Sequence, residues 1–521
     1  MRLPVFTRVW VLIMLASGGG TAQPLSNPPD LSPVDVDLVR PLIAEGRWIW
    51  MGDSYAVPYR LRVPFATLVT WPLSHVGAVS VGPKSPLGRQ VPAEIQPQVV
   101  ADGNGFVLAA GTPTEDRMGL PLYQMLEWDL PAGDSDLGRM YLGFSYLLDG
   151  YAALDGTPFN GPTEARPLVY TRPGAASPSR LRYSDTSETP SPRLVGDADG
   201  FALGEGTAIE TSRDRLVPLR ASLDVPEVVH LAGTVIAGEP GHYAQFLGDE
   251  SWSYWGFSSD ADPVPDSLKR FRTDDLAGYL AATTLDPAQP SVVAIHLAHE
   301  RRPEALLRTT LERMVAQTRD AFDRAGLGAP VILFVHPQAI DTAIIDTAEK
   351  NERNGVVMRE MALADDRIAF VSLYDATDGV VFDGRPEARA WLEASPYASF
   401  CFGSRCRGRA VELLAESGGN LLDARRLHTT EHGALFFSAL LGELLTGRPV
   451  ACDCPTEPPP ASGLLFPNPI RTGDWVSGAL PDEPVYDARG RRVGRTDPAG
   501  RFVAPSVPGV YLVGGARLVV Q

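Results

Sequence analysis

The sequence predicts an α/β protein: a doubly wound, mostly parallel sheet, with an inserted β-sandwich-like module and a small C-terminal β domain. Three observations carry that expectation. Short, wholly apolar runs alternate with longer segments of 3.6-residue periodicity over 227–448, the pattern of strands buried on both faces and of the helices that cover them. Over 84–226, Gly, Pro, Asp and Ser recur every few residues between brief aromatic and β-branched runs, as in antiparallel strands joined by turns. From 463 to 521, short β-type runs again alternate with Gly- and Pro-bearing turns.

The elements follow in order. Residues 48–51 form an apolar strand, and Gly52-Asp53-Ser54 is a sharp turn after it. A helix is expected over 59–73 despite its prolines, then a second apolar strand over 75–82 ending in Gly82. Within the insertion, strand-like runs fall at 106–110, 140–148 and 167–170. The α/β texture returns with a strand at 228–236 and a helix at 273–282. A buried-type strand occupies 291–297, and a long amphipathic helix occupies 303–324, with Leu307, Leu311, Met314, Val315, Thr318 and Phe322 on one stripe. Strands at 330–335 and 367–373 flank a helical segment at 340–363. A last helix, 432–445, stops at Gly447.

The chain has 521 residues, enough for about three domains. Hydrophobic residues make 44% and charged residues 21%, which provides a core and argues against wholesale disorder. Gly (50) and Pro (47) together reach about 19%, against roughly 12% on average, consistent with many turns. The net charge of −17 excludes a general nucleic-acid binder, which needs a basic face for phosphates. Only Lys84, Lys269 and Lys350 are lysines, so the other 43 cations are arginines, a bias that carries no functional reading.

The N-terminus has a positive region (Arg2, Arg8), an apolar run from Val9 to Ala16, and small residues Gly20-Thr21-Ala22 before Gln23. This is the pattern of a signal peptide over 1–22, with an apolar run too short for a membrane span. No transmembrane anchor is expected, and export makes disulfides possible. The four cysteines are Cys401, Cys406, Cys452 and Cys454. One residue separates the last two, which strains a direct bridge, so bridges crossing from 401/406 to 452/454 are expected. A zinc site is the rival reading, though C-x₄-C with C-x-C is not a usual zinc spacing. Residues 455–462 form a Pro-rich linker.

Catalytic chemistry centres on Ser54, just past a strand end where active residues of open α/β sheets gather. A serine needs a base to become a nucleophile. His428, just before the last helix, is the candidate, and Asp423 is near enough in sequence to orient its imidazole. His432, one helical turn on, is the alternative base.

Together these residues resemble the SGNH/GDSL-type hydrolases. Met51-Gly52-Asp53-Ser54 is similar to that family's first motif, and His428 followed by Gly433 to its last. The resemblance covers 46–83 plus 227–448 and leaves the insertion at 84–226 unexplained. It implies a flavodoxin-like fold, Ser54 as nucleophile, His428 as base, and no metal or organic cofactor. The sequence departs from the family pattern in two places. The family's acid stands three residues before the histidine, where this chain has Arg425; Asp423 stands five before. The family's Gly-x-Asn-Asp is replaced by Leu297-Ala298-His299-Glu300-Arg301. An ionised Glu300 cannot donate to an oxyanion, so His299 becomes the candidate donor. Gly82, with Gly238 as its rival, is the candidate for a backbone donor.

The tail, with Phe466-Pro467-Asn468-Pro469, the strand-turn-strand VYDARGRRV and the strand GVYLV, resembles the C-terminal sorting domain of the type IX (Por) secretion system. That resemblance implies passage across an outer membrane, with the secretion machinery as a partner. The sequence thus reads as a secreted or cell-surface serine esterase acting through an acyl-enzyme on a small-molecule, carbohydrate or lipid ester. The alternatives are a non-catalytic cell-surface binding protein on an SGNH-like scaffold, or a transferase that passes the acyl group to a sugar.

Overall fold

The computed structural model describes residues 29–52, 78–80, 106–107, 114–116, 125–142, 162–172, 181–183, 200–204, 207–210, 215–237, 244–248, 272–284, 286–297, 304–340, 348–394, 401–402, 405–406, 414, 417–423, 428–447, 475–476, 484–487, 492–496, 501–513 and 516–520. The chain divides into two compact units, Met1–Cys452 and Asp453–Gln521. The helix expected over 59–73 and the cysteines Cys452 and Cys454 lie outside the described residues.

The first unit is built on five strands: β1 (Arg47–Gly52), β2 (Ala244–Gly248), β3 (Ser291–His296), β4 (Val331–His336) and β5 (Ile368–Ser372). They lie in the order β2-β1-β3-β4-β5, and every ladder between them is parallel. Every residue of β1, β3, β4 and β5 is buried, which accounts for their unbroken apolar runs. Alternate side chains go to opposite faces. Ile49, Met51, Val293, Ile295, Ile332, Phe334, Ile368 and Phe370 meet helices α1 (Thr273–Thr283), α2 (Glu304–Arg324) and α3 (Ala348–Ala364). Trp48, Trp50, Val292, Ala294, Leu333, Val335, Ala369 and Val371 meet α4 (Glu431–Thr446) and Pro386–Ala394. Helices on both faces of a parallel sheet make the expected doubly wound α/β unit. The stripe predicted on α2 is buried residue for residue, and α4 ends at Gly447 with φ 66°, a left-handed cap that favours glycine.

Two strand readings need correction. Ala78–Ser80 and Glu227–Ala237, read as α/β texture, are strands of an antiparallel sheet. The strand beside β1 is instead β2, which the sequence reading did not identify. That antiparallel sheet has seven strands, in the order Thr207–Glu210, Pro162–Thr171, Glu227–Ala237, Met125–Leu130, Thr114–Asp116. Ala78–Ser80 pairs with Glu227–Ala237, and Gly200–Leu203 with Pro162–Thr171. A four-stranded sheet orders Phe106–Val107, Gly133–Leu142, Arg215–Leu223 and Leu181–Tyr183. The larger sheet is bonded to the core by aromatic packing: Tyr170 lies 5.1 Å from Phe201, which meets Tyr279 of α1 edge-on at 5.7 Å.

The second unit carries a four-stranded antiparallel sheet, Arg492–Arg495, Pro484–Asp487, Gly509–Val513 and Ala516–Val520. Val485, Phe502, Tyr511, Val513, Leu518 and Val520 form its core.

Cys401 and Cys406 are direct partners across a two-stranded antiparallel ladder. Such partners have Cα atoms about 4.5–5.5 Å apart, a spacing that a disulfide spans. The register thus permits a direct 401–406 bridge beside the crossed pairing. Peptide mapping under non-reducing conditions is expected to recover Cys401 linked to Cys406; a 401–452 or 401–454 peptide would contradict it.

Helices α2 and α3 are clamped by Arg319, whose guanidinium bonds both oxygens of Asp365 at 2.7 and 2.9 Å. That bond holds the Asp365 carboxyl below its ordinary pKa. Because the folded state depresses the pKa, the clamp's contribution is complete above the ordinary carboxylate pKa of about 4 and fades as pH falls. Arg319→Met is expected to cost about 1–2 kcal/mol in urea denaturation at pH 7, and a smaller cost as the pH is lowered into the carboxylate range.

Candidate active site

In a sheet of order 2-1-3-4-5, ligands bind beyond the carboxyl ends of the strands where the winding reverses, here between β1 and β3. Gly52 ends β1 at this point. Across one ladder it faces Gly248 of β2, and across the other His296 of β3. Asp53 and Ser54 are the next two residues of the chain. Ser54, Gly82, Gly238 and His299 lie outside the described residues. The strand that leads towards Gly82, Ala78–Ser80, belongs to the seven-stranded antiparallel sheet.

His428 and Asp423 are brought together by a hairpin. Leu422 and Thr429 form an antiparallel bridge. The Asp423 N–H donates to the His428 carbonyl at 2.7 Å, and the Thr430 N–H to the Leu421 carbonyl at 2.9 Å. Facing positions of a hairpin set the two side chains together. His428 Nδ1 lies 3.2 Å from Asp423 Oδ2, and the His428 N–H donates to Asp423 Oδ1 at 3.3 Å. An acid five residues before its histidine thus reaches the imidazole, because the chain between them folds back. A carboxylate only accepts, so the Nδ1–H donates in this bond. His428 is 15% exposed and Asp423 34%, leaving the pair at the surface of the fold rather than within it. His432, half-buried in the first turn of α4, is not the histidine that Asp423 engages through these bonds.

The start of α4 fixes the hairpin. Thr430 is its N-cap, and its hydroxyl accepts from the Gly433 N–H at 3.1 Å. A Cβ on Gly433 would lie 2.1 Å from the Leu421 carbonyl oxygen. Helix and hairpin therefore touch backbone to backbone, which only glycine permits.

The rim of the sheet carries polar residues the sequence reading passed over. His336, at the end of β4, lies 2.8 Å through Nδ1 from the Ser372 hydroxyl at the end of β5. Ser372 also caps the following short helix by accepting from the Asp375 N–H. His336 fits because α3 has Gly355 against it; a Cβ there would come within 2.9 Å of the ring. His296 is buried, and burial, with His336 nearby, lowers its pKa to about 3, so it is neutral at physiological pH. The only signal in the sequence was a polar residue closing an otherwise apolar strand. Among the described residues, no group of His, Cys, Asp and Glu is arranged to hold a metal ion, and no helix is long and apolar enough to cross a membrane.

No protein-family model matches the chain, and no curated protein matches it in sequence. Among solved structures, it is similar to a peptidoglycan O-acetylesterase, at 13% identity and a TM-score of 0.41, covering 81% of this chain and 99% of the other. It is also similar to a lipase/acylhydrolase from Enterococcus faecalis, at 13% identity and a TM-score of 0.22, over 41% and 80% of the two chains. A family two carbohydrate esterase from Clostridium thermocellum matches at 7% identity and a TM-score of 0.19, over 49% and 83%.

The hairpin–helix contact yields a graded expectation. Thr430→Ala removes the cap and is expected to cost about 1 kcal/mol. Gly433→Ala forces a methyl into a carbonyl oxygen and is expected to cost about 2–3 kcal/mol. Equal midpoints for the two variants in urea denaturation would show that the close approach is not the constraint.

Proposed function

We propose that this protein is a serine ester hydrolase of the SGNH type, with Ser54 as nucleophile, His428 as general base and Asp423 as the orienting acid. The observation that carries the reading is the Asp423–His428 pair, held on a hairpin against the start of α4. The strand β1 ends at Gly52, and chain connectivity keeps Ser54 within about 7 Å of it. In this reading Nε2 of His428 takes the Ser54 proton as Oγ attacks the ester carbonyl. The tetrahedral intermediate collapses to an acyl-enzyme, and the imidazolium returns its proton to the leaving alcohol. Water, activated by the same nitrogen, then releases the acid. Asp423 holds the ring and stabilises its charged form.

The oxyanion needs donors fixed where its charge develops. Gly248, facing Gly52 across the β1–β2 ladder, borders the strand end that leads to Ser54, and joins Gly82 and Gly238 as a candidate backbone donor. An N-terminal signal pattern and a separate C-terminal β unit support export of the enzyme, and a carbohydrate or lipid ester outside the cell as its substrate.

Ser54→Ala is expected to lower hydrolysis of p-nitrophenyl acetate by about 1,000-fold or more and to abolish labelling by a fluorophosphonate probe. Asp423→Asn is expected to lower kcat by about 100-fold or more with the fold intact. A Ser54→Ala protein that turned over at the parent rate would remove the proposal, and an unlabelled parent protein would favour the binding-protein alternative.

A further inference from the structure

The chain segment that ends in Asp423 is flanked on both sides. On one side lies the arm that carries His428, joined by the Leu422–Thr429 bridge and by the Asp423 N–H bond to the His428 carbonyl. On the other side Phe382–Gly384 runs antiparallel to it. Asp383 bridges Asn420, the Leu421 N–H donates to the Phe382 carbonyl at 2.9 Å, and the Gly384 N–H to the Gly419 carbonyl at 3.1 Å. The segment enters this ribbon through Gly418 and Gly419, both in the left-handed region at φ 62° and 83°. Adjacent glycines make a flexible joint, and these stand five and four residues before Asp423.

Arg389, on the helix Pro386–Ala394, spans that joint. Its Nε–H is shared between the Gly418 and Gly384 carbonyls, 3.0 Å from each. Its stem passes over Gly419, where a Cβ would come within 2.9 Å of Arg389 Cγ. The helix is set in the core by Ala388 and Leu392. Phe382, which leads into the flanking strand, is held by the rings of Trp391, Phe436 and Phe437 at 5.3, 5.6 and 5.9 Å. We infer that Arg389 is a positioning residue: by tying both strands of the ribbon at the Gly418–Gly419 joint, it holds the Asp423 carboxylate against the His428 imidazole. The inference rests on the proposed roles of Asp423 and His428. A side chain at Gly419 would collide with the arginine stem, so the joint cannot be stiffened by its own residues. The guanidinium, planar and with donors in fixed directions, supplies the stiffness from outside. The start of α4 secures the other arm of the hairpin through Thr430 and Gly433, so each member of the acid–base pair has its own anchor.

The test is a double-mutant cycle on hydrolysis of p-nitrophenyl acetate. Arg389→Met keeps the stem and removes the N–H. In the parent it is expected to lower kcat by about 5–20-fold with KM within about twofold. In an Asp423→Asn background the same change is expected to cost less than about twofold, because the carboxylate it positions is already gone. Parental kcat in Arg389→Met, a loss carried in KM instead of kcat, or equal losses in the two backgrounds would each overturn the inference; equal losses would mark Arg389 as a support of the fold alone. Should Arg389→Met not fold, Arg389→Lys, which keeps the charge but lacks the Nε–H, decides in the same cycle by the same criteria. An Asp423→Asn enzyme with parental kcat would overturn the acid–base reading itself, whereas Asp423-dependent turnover indifferent to Arg389 would overturn only this step.

Discussion

The structure depends on one constraint: the five-stranded parallel sheet is covered by helices on both faces. Water reaches neither face, so the strands must be apolar on both sides and their backbone groups must pair with one another. β1, β3, β4 and β5 meet the condition throughout, with every residue buried. Polar side chains are then tolerated only where the ladders run out. His296, His336 and Ser372 occupy the last positions of their strands. Arg47, at the opposite border of the sheet, is likewise buried and bonded to the Thr284 hydroxyl.

The rim is held by contacts in which glycine makes room for something larger. Gly355 admits the His336 ring, and Gly433 lets α4 start against the backbone of Leu421. The second contact has the wider effect. With Thr430 capping the helix and Leu421 bonded to Thr430, the hairpin that carries Asp423 and His428 is fastened to the first turn of α4. Since α4 is fixed to the sheet by Phe436, Phe437, Leu440 and Leu441, the imidazole inherits its position from the core. A side chain on a surface hairpin acquires in this way a position set by the sheet.

Much of this was legible in the sequence, and the failures are physical. Long helices and doubly buried strands announce themselves because burial on one stripe, or on both faces, dictates the residue type at every position. Thus α1, α2, α4 and β3 to β5 lie within a residue or two of their expected limits. The five residues of β2, Ala244–Gly248, gave no such signal. They are too few to show a period, and Gly238, Gly241 and Gly248 around them look like loop. Glu227–Ala237 was legible as a strand but not as antiparallel, because an apolar run does not encode its partner. At the site, Asp423 was a candidate on distance in sequence alone; the hairpin that makes five residues equivalent to a shorter spacing is a tertiary fact. His296 read as part of a buried strand and His336 fell just past the end of another, because burial had to be seen before a polar residue beside apolar ones gained meaning.

The site also shows how one residue type is given different chemistry by its surroundings. His428 has a carboxylate on Nδ1 and partial contact with solvent. His296 is sealed against the sheet with a second imidazole nearby, conditions that penalise its charged ring twice, by lost hydration and by like charge. The division follows from topology. A histidine that closes a central strand must be buried, because the helices on either face extend past it. A histidine on the hairpin before the last helix lies outside that cover, where a carboxylate can meet it.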